Sequence, residues 1–122
     1  MFMLPVSILV VDDDATFRRL ARLLLTAHGL DVVAEAASVS EAHSAAMRTR
    51  PDGALVDVEL PDGDGFELAA QLASLPWRPR VVVTSTNAAN GSAAEASRAG
   101  AQAFVSKTDL PKAPLATWLT AG

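Results

Sequence analysis

Cysteine is absent from this sequence of 122 residues, which excludes disulfide bonds and thiolate metal sites. The absence is also compatible with a reducing cytoplasm. Basic residues are not in excess either, because 10 lysines and arginines stand against 14 aspartates and glutamates, for a formal net charge of −4. Phosphate contacts need clustered lysine and arginine, so we expect no direct nucleic-acid binding by this chain.

A membrane-spanning run and a signal peptide are also missing. The apolar opening, residues 1–11, is too short to cross a bilayer and is interrupted by Pro5 and Ser7. It has no basic start, and three aspartates follow it directly. Repeats, low-complexity tracts and internal linkers are absent as well. With 50% hydrophobic and 20% charged residues, we expect one globular domain over residues 1–122, in the cytoplasm and without membrane contact.

Short apolar runs alternate with segments of helical periodicity along the whole chain. The runs predict five strands, at residues 6–11, 31–37, 53–57, 80–85 and 103–106. The periodic segments predict five helices, at residues 15–28, 38–50, 65–73, 90–98 and 110–119. Asp14 is a natural N-cap for the first helix, and Ser38 with Glu41 has the form of a capping box. This alternation predicts an α/β fold, a parallel five-stranded sheet with helices on both faces.

Polar side chains stand at the ends of four predicted strands. Asp12 and Asp13 follow the first strand, Asp57 ends the third, Ser85 ends the fourth and Lys107 follows the fifth. In an open parallel sheet, sites form beyond the carboxyl ends of the strands, so these side chains should converge there. Three carboxylates repel one another unless a cation lies among them, and oxygen ligands without histidine or cysteine favour Mg²⁺. A carboxylate beside Mg²⁺ and a lysine can attack phosphorus, and a hydroxyl can bind a phosphoryl oxygen.

Simpler explanations for these side chains stay open at this point. Asp12 and Asp13 could cap the first helix, although Asp14 already stands at the capping position. Asp57 could be an ordinary turn residue, and Ser85 could be a strand-end hydroxyl without function.

The sequence resembles the receiver domain of bacterial two-component response regulators over essentially its whole length. Four motifs carry the resemblance, and they occur in the order and at the spacing of that family: 9–14 (LVVDDD), 55–65 (LVDVELPDGDG), 83–85 (VTS) and 99–107 (AGAQAFVSK). The resemblance implies a flavodoxin-like (βα)5 fold, which is doubly wound with strand order 2-1-3-4-5.

The resemblance also implies a Mg²⁺ site and a phospho-acceptor. By position, Asp57 is the residue that a sensor histidine kinase phosphorylates. Asp13 binds Mg²⁺ directly, and Asp12 helps, often through water. Asp57 and the backbone carbonyl of Glu59 complete the ligand set. The chain would be no enzyme beyond its own phosphotransfer and autodephosphorylation.

A conformational switch is the third implication of the resemblance. Ser85 is the hydroxyl that reaches the phosphoryl group, Lys107 pairs with the acceptor and then with the phosphate, and Phe104 is the aromatic that turns inward. They would change the face made by the fourth helix, fifth strand and fifth helix, which would control an output domain or a partner. The same face is where a homodimer is expected.

Two positions depart from the family pattern. Thr108 stands where proline is usual after the lysine, and a cis bond to a non-proline residue costs about 3 kcal/mol, so we expect a trans Lys107–Thr108 bond. Phe104 replaces the more usual tyrosine and has no hydroxyl, so any aromatic switch would depend on packing alone.

Two other functions remain as alternatives. The first is a receiver-like module that is not phosphorylated and serves as a dimerisation or docking surface. The second is a phosphohydrolase of the haloacid-dehalogenase type, which needs a second aspartate where this chain has Glu59, and also a cap or a larger scaffold. The segment from Lys107 to Leu110 resembles receivers joined to helix-turn-helix DNA-binding domains, and whether an output domain follows Gly122 stays open.

Overall fold

The structure, a computed structural model, describes residues 4–87 and 92–120. Its strands are β1 Ser7–Val11, β2 Asp31–Ala36, β3 Gly53–Asp57, β4 Glu59–Leu60, β5 Gly63–Asp64, β6 Arg80–Ser85 and β7 Ala103–Ser106. Five of them form one parallel sheet in the order β2-β1-β3-β6-β7. Strands β4 and β5 form a separate antiparallel hairpin. Without the hairpin, this is the predicted order 2-1-3-4-5, and the flavodoxin-like fold is confirmed.

The helices cover both faces of the sheet. They are α1 Ala15–Ala27, α2 Val39–Thr49, α3 Gly65–Ala73, α4 Ala93–Arg98 and α5 Leu115–Leu119. One core cluster packs α2 and α3 on the sheet, and the other packs α1 and α5 on the opposite face. Successive residues of the central strands enter different clusters, as Leu55 and Val56 of β3 do. Such a strand is buried on both faces, which explains its continuous apolar sequence.

The N-caps predicted for the first two helices are confirmed. The Asp14 side chain accepts a hydrogen bond from Thr16 N–H at the start of α1, and Ser38 Oγ accepts one from Glu41 N–H in α2. Gly29 stops α1 with a φ of +79°, a left-handed conformation that suits glycine. None of the described helices has the length and apolar character needed to cross a membrane.

The last predicted helix, residues 110–119, is wrong as a single element. A 3₁₀ turn spans Leu110–Lys112, and α5 begins only at Leu115. Between them Ala113 is extended, with φ −76° and ψ 145°. The following residue is Pro114, whose ring disfavours helical backbone in the residue before it. Pro114 thus separates the 3₁₀ turn from α5, although proline is tolerated in the first turn of a helix.

Two further elements differ from the prediction. The helix expected from residue 90 begins at Ala93 in the described part of the chain, capped by Ser92 Oγ, while residue 90 itself lies outside the described residues. The segment after β3 contained no predicted strand, but it forms the β4–β5 hairpin. The expected trans Lys107–Thr108 bond is confirmed, since no cis peptide bond occurs among the described residues.

Candidate functional site

Three aspartates meet at the carboxyl edge of the sheet. Asp57 is the last residue of β3, and Asp12 and Asp13 directly follow β1, the neighbouring strand. One carboxylate oxygen from each lies within 4.8 Å of the others. Asp12 and Asp57 are buried, whereas Asp13 is exposed. The strand order therefore brings together residues that lie far apart in the sequence.

The backbone around Asp57 is held by close contacts. Val58 N–H donates to the Thr84 carbonyl at 2.8 Å, and Gly65 N–H donates to the Val58 carbonyl at 2.7 Å. A Cβ on Gly65 would lie 1.9 Å from the Asp57 carbonyl oxygen, so only glycine fits where the chain returns. Glu59 N–H donates to Asp57 Oδ1 at 3.3 Å, which leaves Oδ2 for other partners.

Lys107 supplies the positive charge of the site. Its Nζ lies 2.6 Å from Asp12 Oδ2 and 3.4 Å from Asp57 Oδ2. Asp12 Oδ2 accepts no hydrogen bond of good geometry from the described residues, so this ammonium is its charge compensation. Nζ also lies 4.3 Å from the ring centroid of Phe17, a cation–π contact. Lys107 N–H donates to the Ser85 carbonyl at 2.9 Å and thereby fixes the lysine to the end of β6.

The charges of the site perturb one another. Burial, followed by the negative charge of Asp12, raises the pKa of Asp57 to about 6, although Lys107 opposes this change. Burial alone would lower the pKa of Lys107, but the carboxylates of Asp12 and Asp57 raise it overall. Three carboxylates thus face one ammonium when Asp57 is ionised. That excess of negative charge is what a divalent cation would neutralise.

A cleft of about 330 Å³ opens over these residues and is accessible from solvent. Its walls include Asp13, Asp14, Asp57, Glu59, Thr86 and Lys107. The donors are carboxylate oxygens without a histidine or cysteine, and this donor set suits Mg²⁺, which takes one or two carboxylates and keeps several waters. The residues present therefore fit a magnesium ion.

Ser85 and Phe104 lie beside this cleft and not in its walls. Ser85 is buried, and its Oγ donates to the Asn87 carbonyl at 2.9 Å and accepts from Asn87 N–H at 3.2 Å. Phe104 is half-buried and stacks on Phe66 of α3 with 6.3 Å between ring centroids. Both hydrogen bonds of the Ser85 hydroxyl thus go to the backbone of Asn87.

Two residues near the site were not predicted from the sequence. Thr86 follows Ser85 and lines the cleft, so its place after a strand end was the available signal. Arg18 of α1 donates from Nη1 to the Asp12 carbonyl at 2.6 Å. The signal for Arg18 was weak, because one of several arginines on a helix surface has no distinctive spacing.

A parallel sheet in this order, with acidic residues and a lysine at its carboxyl edge, defines a receiver-type α/β domain. The sequence model of the family described as response regulator receiver domain matches residues 8–114. The chain belongs to this family and is a receiver domain of two-component response regulators.

Individual relatives agree with this assignment. The DNA-binding transcriptional activator DevR/DosR of Mycobacterium tuberculosis is 40% identical over 103 residues, which are 84% of this chain and 48% of that protein. A two-component response regulator of the LuxR family from an Aurantimonas species superposes with a TM-score of 0.78 at 29% identity, covering 93% of this chain and 81% of the other.

The BeF3-activated N-terminal receiver domain of Klebsiella pneumoniae RstA gives a TM-score of 0.75 at 29% identity, over 91% of this chain and 93% of the other. The chain spans about half the length of the first curated relatives that it matches, 50% and 48%.

Proposed function

We propose that Asp57 accepts a phosphoryl group from a sensor histidine kinase in a reaction that requires Mg²⁺. The observation that carries the proposal is the arrangement around Asp57 in one open cleft. Lys107 Nζ lies 3.4 Å from its Oδ2, and the carboxylates of Asp12 and Asp13 are within 4.8 Å. Family membership supports the same function, since receiver domains are signalling domains.

Asp57 is the nucleophile in this proposal. With a pKa of about 6, its carboxylate is mostly ionised at neutral pH and can attack phosphorus. A new O–P bond forms on Asp57 while the N–P bond of the kinase phosphohistidine breaks, and the electron pair of that bond stays on the imidazole nitrogen. Lys107 stays close enough to neutralise a phosphoryl oxygen as the reaction proceeds.

The magnesium site of the proposal uses the carboxylates of Asp12, Asp13 and Asp57 with the backbone carbonyl of Glu59. When bound, Mg²⁺ would neutralise charge on the transferred phosphoryl group. Of these three carboxylates, that of Asp13 is the exposed one, and its place in the cleft wall suits direct ligation. Asp12 is buried and already paired with Lys107, which suits a contribution through water.

The conformational switch is part of the proposal. Phosphorylation adds charge and acceptor oxygens next to β6 and β7. Ser85 would exchange its hydrogen bond to Asn87 for one to the phosphoryl group, and Phe104 would repack. Both residues belong to strands beside α4 and α5, so the signal would reach the face of α4, β7 and α5.

The partners of this face follow from the relatives. DevR/DosR is a DNA-binding activator and is about twice as long as the matched region, since this chain covers 48% of it. We therefore propose that the switched face controls an output domain or a separate partner in the cytoplasm, with a homodimer as one state of that face. This chain itself, with its net charge of −4, would not contact nucleic acid.

Binding of beryllofluoride tests the site without a kinase. The probe is beryllium fluoride with Mg²⁺, observed by ¹⁹F NMR, and RstA, 29% identical, has a structure in this activated form. Wild type should give a bound signal that EDTA removes, and Asp57→Asn should give none. Asp31→Asn is the matched control, because Asp31 is an exposed aspartate at the start of β2, at the opposite end of the strands.

A bound signal of equal strength in Asp57→Asn would contradict the proposal. Absence of the signal in wild type, together with a dimer and no measurable Mg²⁺ affinity, would favour the alternative of a docking module that is not phosphorylated. Turnover of a small phosphate ester would point to the phosphohydrolase.

A further inference from the structure

We propose that Arg18 is a positioning residue of the magnesium site, and this inference rests on the proposed function. Its guanidinium connects α1 to the peptide between the two aspartates that follow β1. Nη1 donates to the Asp12 carbonyl oxygen at 2.6 Å, and Nε donates to Glu35 Oε1 at 3.0 Å. Arg18 therefore holds the backbone on which the carboxylates of Asp12 and Asp13 are mounted.

The peptide after Asp12 lies where the sheet pairing ends, so it is restrained by this contact and by the hydrogen bond that Asp14 N–H donates to Asp12 Oδ1 at 2.9 Å. Asp12 N–H still donates to the Ala36 carbonyl at 2.9 Å, in continuation of the β1–β2 ladder. On its other side, the Asp12 carbonyl is bound by Arg18. The side chain of Asp13 is exposed and has no hydrogen bond or ion pair with other described residues. The backbone that carries it is therefore its main restraint among the described residues.

An arginine suits this role better than a point charge. Its planar guanidinium carries five N–H donors in a fixed arrangement, so one group can bind Glu35 and the Asp12 carbonyl at the same time. The side chain is only 19% exposed, whereas that of Arg22, one turn further along α1, is 45% exposed. Burial makes the position of the Arg18 group well defined.

Arg22 provides a matched comparison within the same cluster. It also binds Glu35, from Nη2 to Oε2 at 2.7 Å, and it also donates from Nη1 to a backbone carbonyl. That carbonyl belongs to Val32, the second residue of β2 and away from the cleft, at 3.1 Å. Loss of Arg22 removes a similar ion pair and leaves the Asp12 peptide bound.

Isothermal titration calorimetry with Mg²⁺ alone tests the inference on wild type, Arg18→Gln and Arg22→Gln. Residues that support metal ligands typically change affinity 10- to 100-fold, so Arg18→Gln should bind Mg²⁺ about 10-fold more weakly. Arg22→Gln should stay within about twofold of wild type, as surface substitutions do. Arg18→Lys keeps the charge but loses the planar set of N–H donors, so its Mg²⁺ affinity should lie between those of Arg18→Gln and wild type.

The sign of the change separates positioning from charge. If Arg18 acted only through its positive charge, its removal beside a dication site would strengthen Mg²⁺ binding. Urea unfolding of each variant confirms that it is folded, and an amide NMR spectrum should show changes centred on Asp13 in Arg18→Gln but not in Arg22→Gln.

Equal or tighter Mg²⁺ binding by Arg18→Gln, with wild type binding the ion, would overturn the inference and leave the proposed function intact. No Mg²⁺ binding by wild type would overturn the magnesium site, and the inference with it. The beryllofluoride experiment on Asp57→Asn distinguishes these two failures.

Discussion

Replacement of Asp57 by asparagine is expected to stabilise the metal-free protein at neutral pH. Burial and the charge of Asp12 raise the pKa of Asp57 to about 6, against 3.8 as its ordinary value. The folded state thus favours the protonated carboxyl, and ionisation of Asp57 opposes folding. Asparagine resembles the protonated form, and it leaves the shorter Lys107–Asp12 ion pair in place.

The magnitude follows from the difference between the two pKa values. About 1.4 kcal/mol for each pKa unit gives about 3 kcal/mol of stabilisation at pH 7 for Asp57→Asn. Between about pH 4 and about pH 6, Asp57 is ionised in the unfolded chain but still protonated in the folded one. The contribution of Asp57 to wild-type stability therefore falls as pH rises through this range, and it is constant above it. At pH 4.5 the advantage of the variant should therefore shrink to about 1 kcal/mol.

Urea unfolding in EDTA at both pH values measures this difference, with Asp31→Asn as a control that should show no such pH dependence. With Mg²⁺ present, the difference in the free energy of unfolding between Asp57→Asn and wild type should shrink or change sign, because an ion that binds the folded wild type stabilises it. Destabilisation by Asp57→Asn at pH 7 in EDTA, or an effect equal at both pH values, would refute the reasoning.

Two other substitutions test the contacts around Asp57. Lys107→Met should lower the free energy of unfolding by about 3 kcal/mol in EDTA, since it leaves buried carboxylates unpaired, and saturating Mg²⁺ should recover part of the loss. A loss that Mg²⁺ leaves unchanged would contradict this explanation. Gly65→Ala should cost more than about 3 kcal/mol in urea unfolding, because its Cβ would lie 1.9 Å from the Asp57 carbonyl oxygen. At Gly29, φ is +79° and an added Cβ would meet nothing within 4 Å, so Gly29→Ala should cost only about 1 kcal/mol. Similar losses in Gly65→Ala and Gly29→Ala would be evidence against a clash at Gly65.

Local sequence signals predicted the elements well where burial and capping agree. The central strands are apolar at every position because both faces are covered, as in Ala54, Leu55 and Val56 of β3. Caps such as Asp14 act within a few residues and could be identified directly. The order of strands is different, because periodicity does not encode which strands are neighbours, and it was inferred from family resemblance.

Other features depend on contacts that local patterns do not encode. Leu20 fits the apolar periodicity of α1 but is 44% exposed, because the helix buries only a narrow face. The helix is broken before Pro114 because the proline ring restricts the backbone of Ala113. The sequence pattern did not show this, since proline is also acceptable inside the first turn of a helix. The convergence of strand-end residues was predictable, whereas the closer approach of Lys107 to Asp12 than to Asp57 required three-dimensional distances.

Intact-protein mass spectrometry after treatment with acetyl phosphate and Mg²⁺ tests the central claim most directly. Wild type and Asp31→Asn should gain one phosphoryl group that hydroxylamine removes, as expected for an acyl phosphate, and peptide mapping should place it on Asp57. The gain should be absent in Asp57→Asn and in EDTA. An unmodified wild type, or an equal gain in Asp57→Asn, would contradict the account.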